Sequence, residues 1–364
     1  LSLKVNYIYN FISQILTLII PMVTTPYIAR VLRENGNGQY SFSFSIITYF
    51  ILFANLGFNT YGQREISKYR NDPMKRTKVL AEISIVRSIT TFIAILILFI
   101  ALFFGIFGEK YTLIIVALSI QLIAVPFDIN FYYQGLENFR AIAIRSIILK
   151  IMGLIGVFLF VKTENDTWIY ALCLSISVML SNLVLWPSVL RDCTKITFRD
   201  VELKKHIKPA IVIFLPALAV TIYSVLDKTM IGFLAVSPDY ENGCYEQAYK
   251  LNSIALLLIT VISPIFSSRN SYEHAMGNED KLKNNIYLAS NYVWLIGLPL
   301  TAFFLVLSPN LCSWFLGGGF YEVPLLLRIM SVRFLLSGFS EIFGNQLFVS
   351  IGREKYTTIA TFSA

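Results

Sequence analysis

The stretch SVLDKTMIGF, residues 224–233, sets Asp227 beside Lys228 inside an otherwise apolar run. From Ile211 to Val236 the chain holds 26 residues with no other charge. At about 1.5 Å per residue a helix of that length crosses a bilayer. An ionisable side chain in hydrocarbon costs about 2.5–3.5 kcal/mol even on the mildest scale. Two such residues side by side need a reason, and the reason depends on the class of chain.

Composition decides the class. Of 364 residues, 56% are hydrophobic and 14% charged, with a mean hydropathy of +0.65, against about 25% charged residues in a soluble domain. Apolar runs fall at 5–31, 40–61, 79–107, 111–133, 141–161, 167–190, 209–236, 248–268, 286–308 and 323–350, and an eleventh begins near Tyr356. The fold class expected is an all-α polytopic membrane protein. The first apolar run is long enough to span and has no small-residue cleavage site after it, so no cleavable signal peptide is expected. The chain opens on Leu1 and stops a few residues into an apolar segment, which reads as a fragment lacking its C-terminus.

The connecting loops alternate in charge. REISKYRNDPMKRTK (64–78), RDCTKITFRDVELKKHIK (191–208) and GREKY (352–356) are basic, whereas GEK (108–110) and KTENDT (162–167) are short and poor in Lys and Arg. Placing the basic set in the cytoplasm puts 20 of the 30 Lys and Arg inside and 5 outside. That asymmetry predicts a cytoplasmic N-terminus and accounts for the net charge of +8 without a nucleic-acid partner. No loop exceeds about 20 residues, too few for a soluble catalytic or nucleotide-binding domain, so neither an enzyme nor a cofactor is expected. LGGGF (316–320) reads as a flexible turn. The four cysteines lack metal-ligand spacing; for Cys244 and Cys312, both placed outside, a disulfide is one option and free thiols the favoured one. His206 and His274 lie in charged loops and read as solvated surface residues.

The chain also repeats itself. ENGNGQYSFSF (34–44) and YENGCYEQAY (240–249) align at an offset of 205, and QGLENF (134–139) and IGREKY (351–356) at 217. These points are equivalent in two six-span halves. An even number of spans makes this a parallel repeat, as in many transporters. The lobes expected are 1–200, with spans 1–6, and 201–364, with spans 7–10 and the start of an eleventh. By the offset, about 40 residues of the second lobe are missing.

Polar residues share helical faces in span 1 (Asn6, Asn10, Ser13, Thr17, Thr24), span 2 (Ser41, Thr48, Asn55, Asn59) and span 7 (Thr221, Ser224, Lys228). One such stripe is ordinarily helix–helix hydrogen bonding. Three stripes, on helices interrupted by Pro21, Pro26 and Pro216, favour a shared water-filled cavity, with Asn10, Thr17, Asn55 and Ser224 among its lining. Intramembrane charge adds Arg30, Arg87, Arg145, Lys150, Lys228, Arg328 and Arg333 against Glu82, Asp128, Asp227 and Glu341. Arg145 and Arg328 lie near enough to the interface to snorkel. Arg87, Lys150, Lys228 and Arg333 read as functional by default. A pathway richer in cations than acids suits an anionic headgroup such as a phosphate or diphosphate. Asp227 either balances Lys228 or carries a proton, and Asp227 and Asp128 are the candidates for ion coupling.

The sequence resembles the polysaccharide transport (Wzx-type flippase) family of the multidrug/oligosaccharidyl-lipid/polysaccharide exporter superfamily. The residues that carry the resemblance are PYIARVL (26–32) with NGQY (37–40), LGFNTYGQREISKYR (56–70), QGLENF (134–139), and LDKTMIG (226–232) with YENGCYEQAYK (240–250). The resemblance runs from Tyr7 to Tyr356. It implies two six-helix lobes around a central cavity, cavity cations, and a substrate of an oligosaccharide repeat unit on undecaprenyl diphosphate, moved to the outer leaflet. The implied partners are that lipid-linked oligosaccharide, membrane lipid, and a glycan polymerase with export machinery. Arg30, Asp227 and Lys228 match family motif positions; Arg87, Lys150 and Arg333 rest on intramembrane charge. Where relatives usually have Gly after PYxxRVL this sequence has Arg33, which bears on the outer mouth. A cation-coupled drug or metabolite exporter should favour acids in its cavity, and here cations outnumber acids seven to four. A glycan polymerase should carry a large outer loop, and the largest outer segment spans only about Ser237 to Tyr249.

Overall fold

A backbone in hydrocarbon must satisfy its own hydrogen bonds, and the apolar runs do so as helices. The computed structural model describes residues 3–193, 202–353, 356 and 360, and below residue 20 and at 345 the backbone alone. Among the described residues there is no strand, and nine helical stretches are long and apolar enough to cross a membrane. Contacts divide the chain into two compact units, residues 1–24 with 31–242, and residues 25–30 with 243–364.

The first helix, α1 (Leu3–Asn55), runs through both of the first two expected spans and breaks its helical geometry at Arg33 alone, with φ 52° and ψ −168°. A longer loop was expected here; instead two helical segments meet in a turn at this one residue, and the Asn37 side-chain amide donates to the Arg33 carbonyl at 2.6 Å. That φ is one that glycine adopts freely and other residues resist. A glycine would hold this turn without that cost, and Arg33 holds it under strain.

The first unit continues with α2 (Phe58–Lys68), α3 (Pro73–Phe103), α4 (Glu109–Ile123), α5 (Asn130–Gly135), α6 (Phe139–Phe160), α7 (Thr167–Leu183), α8 (Trp186–Asp192) and α9 (Lys204–Leu234). Asp72 starts α3: its carboxylate accepts the Lys75 amide at 3.1 Å, Pro73 follows at the first helical position, and that amide bond holds the Asp72 carboxyl below its usual range. The expected span at 111–133 is not one helix. Pro126, which lacks an N–H, sits in a 3-10 turn (Val125–Phe127), and Asp128 is extended. Side chains satisfy the freed carbonyls: Asn182 donates to Ala124 at 3.0 Å, Trp186 to Phe127 at 2.9 Å and Arg87 to Asp128 at 2.6 Å.

Beyond the break α5 packs on α2. A methyl group added at Gly62 would lie 2.6 Å from the Phe131 ring, and one at Gly135 would lie 2.8 Å from Ile66. Only glycine allows that approach. Arg70 pairs with Glu137 at 2.9 Å across the same contact. Beneath it lies a buried core that includes Phe58, Ile66, Ile83, Phe131 and Tyr132.

The second unit contains most of α10 (Pro238–Thr260), then α11 (Ser263–Ala275), α12 (Glu279–Phe315), α13 (Val323–Ser331) and α14 (Arg333–Glu341), which passes into a π-helical run at Ile342–Phe348. α12 packs against α11, α13 and α14. The eleventh expected span lies largely outside the described residues. Cys244 and Cys312 are both buried, and they are not joined in a disulfide.

Candidate functional site

On α9 the adjacent charged pair separates by exposure: Asp227 is exposed and Lys228 is buried. The Lys228 carbonyl accepts from Asn242 at 2.7 Å, which ties α9 to the first turns of α10 within the first unit. One residue on, Thr229 donates to Ser45 at 2.9 Å and approaches Tyr49 at 3.4 Å. α1 and α9 therefore meet through Thr229, Ser45 and Tyr49, none of which belongs to the polar stripes that the sequence singled out. Ser224 is half-buried and donates to the Thr221 carbonyl of its own helix at 2.9 Å. Asn55 is half-buried on α1. The side chains of Asn10 and Thr17 lie outside those described.

A second group forms around the broken helix. Arg87 is 1% exposed, donates to the Asp128 carbonyl, stands 3.9 Å from its carboxylate and lies 5.8 Å from the centre of the Phe131 ring. The Asp128 carboxylate accepts from Asn59 at 3.4 Å and from the Asn130 amide at 3.0 Å. Arg145 donates to the Asn130 side chain at 2.7 Å. Arg145 is thus buried among protein groups rather than snorkelling, because the break at 125–129 turns Asn130 towards α6. Lys150, further along α6, is half-buried. Arg87, which is buried, and Asp128, which is half-buried, thus belong to one network.

In the second unit Arg30 is exposed and donates to the Trp314 carbonyl at 2.6 Å, beside the glycines of LGGGF. That run is a shaped turn, with Gly317 at φ 87° and Gly319 at φ 99°. Arg333, at the start of α14, is half-buried with its guanidinium 5.5 Å from the centre of the Tyr249 ring. Arg328 is exposed.

The sequence reading of His206 is overturned. Its ring is 1% exposed, Nε2 lies 2.7 Å from the fully buried Glu82 carboxylate, and Nδ1 lies 2.8 Å from the Tyr61 hydroxyl. A carboxylate only accepts, so Nε2 carries a proton, and the hydroxyl donates to Nδ1 when the ring is neutral. Glu82 also accepts the Glu202 amide at 2.7 Å and lies 3.3 Å from Lys205. The histidine is buried because KKHIK forms the first turns of α9, packed against α2, and is not a loop. The signal available in the sequence was an acid, Glu82, early in an apolar run. Among the described residues no three His, Cys, Asp or Glu side chains gather as metal ligands.

Helices of membrane length, one run broken beside Arg87 and Asp128 and two with prolines inside them (α9 and α12), make a multi-helix membrane fold. Solved structures agree. The chain is similar to the lipid II flippase MurJ in an inward closed conformation, at a TM-score of 0.74 and 14% identity, over 98% of this chain and 78% of that one. It is also similar to an inward-facing multidrug resistance MATE family transporter of the MOP superfamily, at 0.65 and 16%, over 94% and 87%. The family model for polysaccharide biosynthesis protein matches residues 3–268, and the chain belongs to that family. A putative O-antigen transporter of Shigella dysenteriae is 26% identical over 97% of this chain and 88% of its own length. A second one, of Escherichia coli K12, is 22% identical over 98% and 85%. This is the kinship that the sequence motifs indicate.

Proposed function

We propose that the protein moves an undecaprenyl-diphosphate-linked oligosaccharide repeat unit from the inner to the outer leaflet of the bacterial cytoplasmic membrane, by alternating access between two lobes, residues 1–200 with six spans and residues 201–364 with spans 7–10 and the start of an eleventh. The product would feed capsule, O-antigen or exopolysaccharide synthesis, with a glycan polymerase and export machinery downstream. It acts as a transporter and not as an enzyme, with its N-terminus in the cytoplasm. The observation that carries the reading is the match, over 97% and 98% of this chain, to relatives named putative O-antigen transporters, in a chain whose spans hold more cations than acids.

In this account Lys228, Arg30 and Arg333 meet the diphosphate and its first sugar. Lys150 and Arg87 extend the positive field, and Asn10, Thr17, Asn55 and Ser224 line the water-filled path. Asp227 and Asp128 are the coupling candidates. Lys228 is favoured for the diphosphate because it is a buried residue next in sequence to an exposed acid, and an anion gains more from a buried cation than from one at a wetted surface. A cation-coupled exporter of organic cations fits less well, since its cavity should favour acids.

Deleting the gene in its host should leave the lipid-linked repeat unit in the cytoplasmic leaflet and remove the surface glycan. Restoration by the wild type but not by Lys228→Ala, at equal membrane levels, is the expected outcome. Normal surface glycan in the deletion strain, with no second transporter present, would refute the reading.

A further inference from the structure

At the end of the first unit where the turn of α1 meets the starts of α4 and α7 there is a cavity of about 260 Å³. The charge asymmetry of the loops places this end outside. The cavity is smaller than the roughly 300–1,000 Å³ of sites for drug-sized ligands, which leaves room for about one sugar ring.

Its chemistry is specific. Asn35, Gln39 and Asn165 bring three amides to the cavity, each able to donate and to accept. Trp168, 37% exposed, offers an apolar ring face. Glu164 adds a carboxylate that accepts Arg33 Nε on one oxygen at 2.6 Å. Lys110, the cation of the lining, is held by Asp239 at 2.8 Å. Both charges are therefore paired within the protein, so the cavity does not select an anion. Adjacent amides and a carboxylate match vicinal hydroxyls, and an indole matches the C–H face of a pyranose.

The site is also built in advance. A methyl group at Gly36 would lie 2.8 Å from Thr167 Oγ1, so α1 and α7 are in close contact at its base. The backbone amides of Lys162 and Thr163 donate to Asp166 at 2.8 and 2.7 Å, fixing the loop that carries Glu164 and Asn165. Gln39 donates to Asp239 at 3.1 Å, which orients its amide with the carbonyl left as an acceptor. Ordered polar groups around an exposed indole cost little to bring into register with a ligand.

We propose that this cavity is a carbohydrate subsite that holds one neutral sugar of the translocated glycan as it leaves on the outer side. The inference rests on the flippase reading for the source of the sugar, and on the cavity alone for its chemistry. It gives Arg33 a role besides the turn: through Glu164 it fixes one wall.

The test uses the full chain in lipid nanodiscs. The probe is the host's repeat-unit oligosaccharide freed from its lipid and diphosphate by mild acid. Saturation-transfer NMR should show contact of one sugar's C–H protons with the wild type. Trp168→Ala should weaken binding about tenfold or more, and Trp168→Phe should keep part of it. Asn165→Leu, at an exposed position, should also weaken it, so the proposal does not depend on the folding of one variant. No binding by the wild type, equal binding by both Trp168→Ala and Asn165→Leu, or displacement of the sugar by inorganic diphosphate would each overturn it. A wild type that flips the lipid-linked unit but ignores the free oligosaccharide removes the subsite and leaves the flippase. A wild type that binds the sugar but moves no lipid removes the flippase reading and leaves the subsite.

Discussion

Gly232 ends the LDKTMIG motif, and the structure gives it a packing role that a single methyl group can test. A Cβ there would lie 1.9 Å from Phe42 Cδ2 and 2.4 Å from Cε2, where ordinary contact begins near 3.4 Å, so the surfaces must part by about 1.5 Å. The ring cannot easily yield. Phe42 is 1% exposed and its ring centroid lies 4.7 Å from that of Tyr111 and 5.1 Å from that of Phe233. Overpacking of this kind costs about 1–3 kcal/mol, while alanine gains about 0.8–1.0 kcal/mol over glycine inside a helix. Gly232→Ala should therefore lose about 0–2 kcal/mol in the wild-type background. With Phe42→Ala the obstructing ring is gone, and the same change should stabilise by up to about 1 kcal/mol. The coupling between the two sites, read from a double-mutant cycle of unfolding in one detergent at one temperature, is then about 1–3 kcal/mol. An equal effect of Gly232→Ala in both backgrounds would refute the close approach of α1 and α9.

Three other changes separate parts of the account. Arg33→Gly relieves a backbone conformation that costs about 1–3 kcal/mol, whereas Arg33→Ala keeps it; after glycine's entropy cost of about 0.5–1 kcal/mol, the glycine variant should melt higher than the alanine variant, and the reverse order would show that the turn is unstrained. His206→Leu leaves the buried Glu82 carboxylate without its ring partner and should cost about 3 kcal/mol in the same unfolding assay, with part of the loss recovered when Glu82→Leu is added; a loss no larger than that of an exposed-site variant such as His274→Leu would contradict the buried pair. If Asp227 balances Lys228, then Asp227→Asn impairs export and the double variant with Lys228→Gln recovers part of it; if Asp227 carries the coupling proton, no change at Lys228 rescues transport and its dependence on the pH gradient disappears.

Much of the fold is legible in the chain because its governing signal is local. A run of some 20 apolar residues needs no partner to declare itself, and alternating basic loops follow from the membrane alone. The breaks are less legible. Pro126 marks the interruption of α4, but which side chains satisfy the freed carbonyls depends on Asn182, Trp186 and Arg87, between about 40 and 60 residues away. The family motifs are visible as strings while their reason is tertiary. Gly62 and Arg70 in one motif face Phe131, at the start of α5, and Glu137 in another, across some 70 residues. His206 was misread for a similar cause: a basic segment that looks like a loop is the start of α9, and Glu82 lies more than 120 residues before it. Among the candidate site residues, charge within a span singles out Arg87 and Asp128. It could not say that each would find the other.

The central claim is movement of a lipid-linked glycan between leaflets, and reconstitution tests it most directly. Purified protein in proteoliposomes should make an undecaprenyl-diphosphate-linked repeat unit, loaded in both leaflets, accessible to an external glycan-cleaving enzyme beyond the outer half. Protein-free vesicles should stop at that half, and Lys228→Ala vesicles should approach it only slowly. Cleavage that stops at half with correctly folded wild-type protein, under either sign of the pH gradient and of the membrane potential, would contradict the account.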